Sequence, residues 1–250
     1  MSGHSKWANI KHKKAAADAK KGKVFSRIAR EIMVAAKNGG GDLDTNVTLR
    51  TLVQKGRAAN MPAENIDRAI KKGTGELAAE VLEERMFEGF AAGGVAIIVH
   101  ALTDNHNRTT AEVRLIFNKQ GANLAQLGAV SRGFKRKGRI IVEDSAVPED
   151  RLMEIVLEAG AEDMVHEDGQ FVVTTEPSAY PAVADAIQKA NIPTEESQVT
   201  MLPDLWVTIH DKHVAQQVMR LVETLEELDD VQDVYTNMDV DEAILKDLEG

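Results

Sequence analysis

The run from residue 140 to residue 202 constrains the fold most, because few packings accept its order of elements. Residues 140–143 (IIVE) read as a strand by their β-branched content, and residues 148–159 as a helix that Gly160 stops. Residues 162–166 and 171–175 form a hairpin across Asp168-Gly169, a pair suited to the positive φ angles of a tight turn. A helix over 177–190 and a strand over 198–202 complete the order βαββαβ, that of the ferredoxin-like split unit.

The flanks supply a second unit of the same class. Downstream are a strand over 205–209, a helix over 211–228 and a strand over 231–235. That helix carries Val214, Val218, Leu221, Val222, Leu225 and Leu228 on one stripe. Upstream, Gly93-Gly94 opens a strand over 95–102, Asn107 caps a helix over 108–119, and residues 130–134 read as a short strand. Residues 74–84 read as a linker, and residues 85–90 suit either helix or strand, since good helix formers over 78–86 precede Phe87 and Phe90 around Gly89. The two flanks are halves of one discontinuous domain, 76–137 plus 204–250, into which an α+β domain of residues 138–203 is inserted.

Residues 1–75 read as a basic helical domain. A helix over 9–21, with Asn9 as its cap, is expected to break at Gly22. A second, over 24–37, places Phe25, Ile28, Ile32 and Ala36 on one face and Arg27, Arg30 and Lys37 on a solvent-side face. Asn38-Gly39-Gly40-Gly41 ends it. A third helix runs from Asp44 to about Ala59, and a short fourth over 66–72 follows Pro62 and closes at Gly73. The fold class is therefore α+β and multidomain: a helical bundle, then two α+β domains, one inside the other.

Charge separates these parts sharply. Residues 1–72 hold sixteen bases against six acids, a net +10, whereas the whole chain is at −10, so residues 73–250 carry −20. Such an excess repels itself unless a polyanion meets it, and a ligand senses the local patch because salt screens beyond roughly 8 Å. The expected partner is nucleic acid, DNA or ribosomal RNA and with the latter the ribosome itself. The candidate contacts are His4, Lys6, Trp7, Lys11, Lys13, Lys14, Lys20, Lys21, Lys23, Arg27, Arg30, Lys37, Lys71 and Lys72. Trp7 either stacks on a base or ribose or anchors the tail against the bundle.

Other chemistries find little support. There is no cysteine, so thiolate metal sites and disulfides are excluded, and His4 with His12 lacks a third ligand at suitable spacing. Residues 103–110 (TDNHNRTT) suit helix capping better than anion binding. The sequence contains no phosphate-cradling loop, calcium loop or serine elbow. No catalytic residue, cofactor, metal or small-molecule substrate is expected, and the chain is not read as an enzyme. Its apolar runs are too short for a signal peptide or a membrane span, which leaves the cytoplasm.

Gly3-His4-Ser5-Lys6-Trp7, Ile10-Lys11, the NMP of residues 60–62 and the IDRAIKKGTG of 66–75 resemble motifs of the YebC/PmpR family of probable transcriptional regulators. So do FEGF from Phe87, TDNHNRT at 103–109, EAGAED at 158–163 and DDVQDVYTN at 229–237. The resemblance implies a helical N-terminal domain and two α+β domains, one inserted in the other. It implies regulation of gene expression by binding DNA. The alternative is a ribosome-associated translation factor that relieves stalling, for example on proline-rich stretches, since mitochondrial relatives are translational activators. The chain departs from the family in having FEGFAAGG (87–94) for YEGYGPGG, and GAVSRGF (128–134) with an added Arg132.

Overall fold

A computed structural model describes residues 21–78, 81–241 and 244. The helix expected over 9–21 lies outside them but for its last residue. Helix α1 spans Lys21–Gly39 and includes Gly22 in its first turn; the segment on the other side of the expected break lies outside the described residues. It buries Ile28, Ile32, Ala35 and Ala36 on one face. Gly40, at φ 82°, ends it as expected.

Helix α2 is Val47–Ala58. Its cap, Asn46, is buried: Oδ1 accepts from the Leu49 amide at 3.0 Å, while Nδ2 donates to the carbonyls of Ala35 (2.9 Å) and Gly40 (2.8 Å). One side chain thus ties the end of α1 to the start of α2. Helix α3, Ala63–Thr74, continues through Gly73 and stops at the left-handed Gly75. The reason is packing: a Cβ on Gly73 would collide with the Met33 carbonyl and lie 2.7 Å from Ala36 Cβ on α1. These helices, the head of the molecule, share one core around Ile28, Ile32, Leu49, Val53 and Ile66.

The remaining residues form a trunk. Strand β1 is Glu83–Phe90, so the ambiguous stretch is extended, and β2 is Ala96–Thr103. Helix α4 is His106–Lys119, β3 Asn123–Ala125, and β4 Phe134–Glu143. Then come α5 (Glu149–Glu158), β5 (Asp163–Glu167), β6 (Gln170–Thr175), α6 (Tyr180–Lys189) and β7 (Glu196–Pro203). The chain finishes with β8 (Val207–Ile209), α7 (Lys212–Glu226), β9 (Val231–Thr236) and β10 (Met238–Val240).

One sheet has the order β3-β1-β2-β9 and a second β5-β6-β4-β7; β8 and β10 pair in parallel. The second sheet is antiparallel throughout, the ferredoxin-like arrangement, and its hairpin turns at Asp168 (φ 51°) and Gly169 (φ 78°). In the first sheet β2 is apolar on both sides. Ile97, Val99 and Ala101 join the core of α4 and α7, whereas Ala96 and Ile98 meet Val130 and Phe134 on the opposite face. The fold is α+β, with a helical bundle followed by two α+β units, one lying within the other in chain order.

Three expected boundaries move. Asn105, not Asn107, caps α4. Residues 131–133 form a 3₁₀ turn rather than a strand. Strand β4 starts at Phe134, earlier than residue 140, because Lys135, Arg136 and Lys137 hide the apolar pattern yet still pair with Leu202, Met201 and Thr200 of β7.

The two head glycines yield opposite expectations. Gly73→Ala should destabilise by about 1–3 kcal/mol through overpacking. Gly22→Ala, with no described atom within 4 Å of the added Cβ, should be neutral or stabilising by up to about 1 kcal/mol. Thermal unfolding followed by circular dichroism measures both; equal effects would contradict the close packing of α1 on α3.

Candidate nucleic-acid interface

The head's described cations fall into three sets. Lys37, Arg50, Arg57 and Lys71 are exposed and Lys72 half-buried, and none has a carboxylate partner among the described residues. By contrast Arg68 pairs with Glu64 at 2.7 Å and Lys55 with Glu31 at 3.1 Å. On α2 the residues turn by about 100° each. Leu49, Val53 and Gly56 face the core, and Arg50, Gln54 and Arg57 make an exposed stripe beside them. Lys55 points to the other side, toward Glu31 and the trunk's Asp233. Burial pulls its ammonium down, but those two carboxylates outweigh this and hold its pKa above the usual lysine value. Arg50 and Arg57 are among the sixteen bases of residues 1–72 but were not among the expected contacts; the signal was their i, i+7 spacing beside the buried face.

The third set corrects the sequence reading. Lys23, Arg27 and Arg30 recur at i, i+4 and i+7 on α1, and the structure turns this face toward the trunk, not toward solvent. Lys23 Nζ donates to the Glu227 carbonyl, Arg27 Nη2 to that of Glu226 and Arg30 Nη1 to that of Asp229. The physical cause is the C-terminal end of α7. Its last carbonyls have no intrahelical donors and carry the negative end of the helix dipole, which attracts cations. His4, Lys6, Trp7, Lys11, Lys13, Lys14 and Lys20 lie outside the described residues, and so does the side chain of Lys21.

At the same junction sits Asp230, only 4% exposed. One carboxylate oxygen receives Thr109 Oγ1 (2.7 Å), Thr103 Oγ1 (3.1 Å) and Arg108 Nη2 (2.6 Å); the other faces Arg30 Nη2 at 3.5 Å. Burial works against its charge, but Arg108, Thr109 and Thr103 outweigh it and depress the pKa. Residues 103–109 and 229–230, two motifs distant in sequence, are thus one polar joint. Within the loop, Asn105 Oδ1 accepts from the Arg108 amide at 3.1 Å, so it caps rather than waits for an anion.

Glu88, the acid of FEGF, is a second joint. Its buried carboxylate accepts the amides of Gly128 (2.9 Å), Val130 (2.6 Å) and Ser131 (3.0 Å). Burial opposes the charge, but these donors hold the carboxyl below its usual range. FEGF therefore holds down the loop of GAVSRGF. Among the described residues no group of three or more histidine, aspartate and glutamate side chains could hold a metal ion. No helix among them is long and apolar enough to cross a membrane.

Two pH dependences follow from these joints. Asp230 contributes stability that is present above the ordinary aspartate pKa of about 3.9 and lost as pH falls through its lower folded value. Asp230→Asn should lower stability at neutral pH and flatten the acid limb of a plot of Tm against pH. His100 lies between Glu84 (2.8 Å) and Asp233 (3.7 Å). Burial lowers its pKa, but Asp233 and Glu84 raise it further. Its contribution is complete below the ordinary histidine value of about 6.5 and disappears as pH rises through the raised one. An NMR titration of the imidazole should show a midpoint above that value; one below it would refute the assignment.

Residues 5–76 match the profile described as the TACO1/YebC protein N-terminal domain, and residues 82–238 that of the TACO1/YebC second and third domain. A probable transcriptional regulatory protein of Desulfatibacillum aliphaticivorans is 52% identical over 248 residues, 99% of this chain and 100% of that one. A protein of the same description from Treponema denticola is 51% identical, covering 97% and 98%. The crystal structure of a conserved hypothetical protein from Aquifex aeolicus superposes with a TM-score of 0.84 at 48% identity, over 95% of this chain and 98% of that one. With its helical head, its nested α+β units and both family profiles matched in order, the chain belongs to the TACO1/YebC family.

Proposed function

We propose that the protein regulates gene expression by binding the phosphates of nucleic acid through its basic head, with DNA as the target and no chemistry of bond making. The observation that carries this reading is the outward stripe of Arg50, Gln54 and Arg57, with Lys37 and Lys71 also exposed and unpaired among the described residues. Relatives called probable transcriptional regulatory proteins support the regulatory role. The tail cations from Lys6 to Lys20, with His4 and Trp7, extend the same grip in this reading. Lys23, Arg27 and Arg30 belong to it only when they leave the trunk. The domain division that goes with it is 1–75, 76–137 with 204–250, and 138–203, supported by separate apolar cores in the three parts.

A second reading, with the phosphates of ribosomal RNA, is favoured by α3. Four residues, 59–62, join α2 to α3, the length of a helix-turn-helix connection, with Asn60 at φ 61° supplying the turn. Yet a recognition helix reads bases with its N-terminal residues. Here those positions hold the exposed acids Glu64 and Asp67, which repel phosphate. The grip is therefore on the backbone, with little readout of sequence.

Each cation that neutralises a phosphate contributes about 0.9 to the log–log salt slope on duplex DNA. Arg50→Ala with Arg57→Ala should lower the slope by about 1.8 and weaken binding on duplex DNA without changing the helical signal. Binding equal to that of the unaltered chain at the same salt would remove α2 from the interface. Sedimentation of a lysate before and after RNase separates the targets: co-migration with ribosomal subunits that RNase abolishes favours RNA, and promoter footprinting at physiological salt favours DNA.

A further inference from the structure

The cationic stripe on α1 is the most regular in the described head, and it is the one pressed on the trunk. Its first three members donate to main-chain carbonyls at the end of α7 and just beyond it, Glu226, Glu227 and Asp229, and Arg30 also faces Asp230. Arg27 meets only part of its hydrogen-bonding capacity there, for its Nε is buried without a partner. Lys37, three turns beyond Arg27 on the same stripe, stays exposed.

The junction is polar. The apolar cluster of the head contains no trunk side chain, and the trunk's clusters contain no head side chain, among the described residues. Nothing like a shared core holds the two together. Contacts of this kind weaken as salt screens them, and relative motion of such units is the default. The donors involved, two guanidinium groups and an ammonium at helical spacing, are the groups that a phosphodiester backbone recruits.

We propose that this contact is an autoinhibitory latch. The carbonyl end of α7, with Asp230, takes the place of phosphates on Lys23, Arg27 and Arg30, and a nucleic-acid backbone competes for the same three cations and frees the head. The inference rests on the nucleic-acid reading above and adds regulation to it. Because only the open state offers the full stripe, affinity is reduced by the fraction of molecules that are open. Anything that weakens the α7 end then tightens binding without touching a cation of the head.

The test uses the full chain, which has no cysteine of its own. Dyes on Thr45→Cys and Gln188→Cys, both exposed positions, report the separation of head and trunk by energy transfer. Transfer should change on adding polyuridylate or a random-sequence DNA duplex, and also between about 0.1 M and 1 M salt alone. The arm with the larger response identifies the backbone preferred.

Glu227→Arg with Asp229→Arg places cations beside the docking carbonyls. Glu143→Arg with Glu158→Arg adds the same charge elsewhere on the trunk. The first pair should bind about three- to tenfold more tightly than the second. If both pairs bind equally, or nucleic acid binds with no change in transfer, the latch is overturned while the nucleic-acid reading stands. If no form of the protein binds either probe, the nucleic-acid reading fails and the latch falls with it.

Discussion

The structure depends on keeping one buried carboxylate charged. Asp230 stands where the head, the N-terminus of α4 and the entry to β9 converge, and it is almost wholly removed from water. A buried charge is tolerated only when it is paired and hydrogen-bonded. Two threonine hydroxyls, Arg108 and Arg30 meet that requirement together. In doing so they connect residues 103–109 to residue 230 and both to α1. Glu88 repeats the solution inside the trunk, with three amides instead of cations. The polar motifs at residues 103–109 and 87–90 are thus joints of the fold.

The charge asymmetry acquires a direction from the same arrangement. A +10 segment joined to a −20 remainder attracts its own partner, and α7 presents the most concentrated target, a helix end with Glu226, Glu227, Asp229 and Asp230 around it. The head's cations are therefore divided between an inward set that meets this end and an outward set that does not. The inward cations dock the head on the trunk.

Local pattern was a good guide where strands and turns carry their own residue signals. The βαββαβ run was legible because its strands are β-branched and its Asp168-Gly169 turn has the positive φ angles that the pair suggests. It failed where a neighbour altered the meaning of a residue. Gly73 resembles a helix stop, yet it is a contact point for α1. Lys135, Arg136 and Lys137 carry no strand signal of their own, yet β7 supplies the pairing that makes them a strand. The parallel pair of β8 and β10 joins segments about thirty residues apart, a distance at which periodicity carries no information.

The sequence by itself determined the class of the fold, the nesting of one α+β unit within another, and the net positive charge of the first 72 residues. Those properties follow from residue order and periodicity alone. Only the tertiary structure decided which cations face outward. Helical spacing assigns Lys23, Arg27 and Arg30 to one face of α1, but a face has no environment until another element packs on it. The carbonyl end of α7 supplied that environment, some two hundred residues further along the chain.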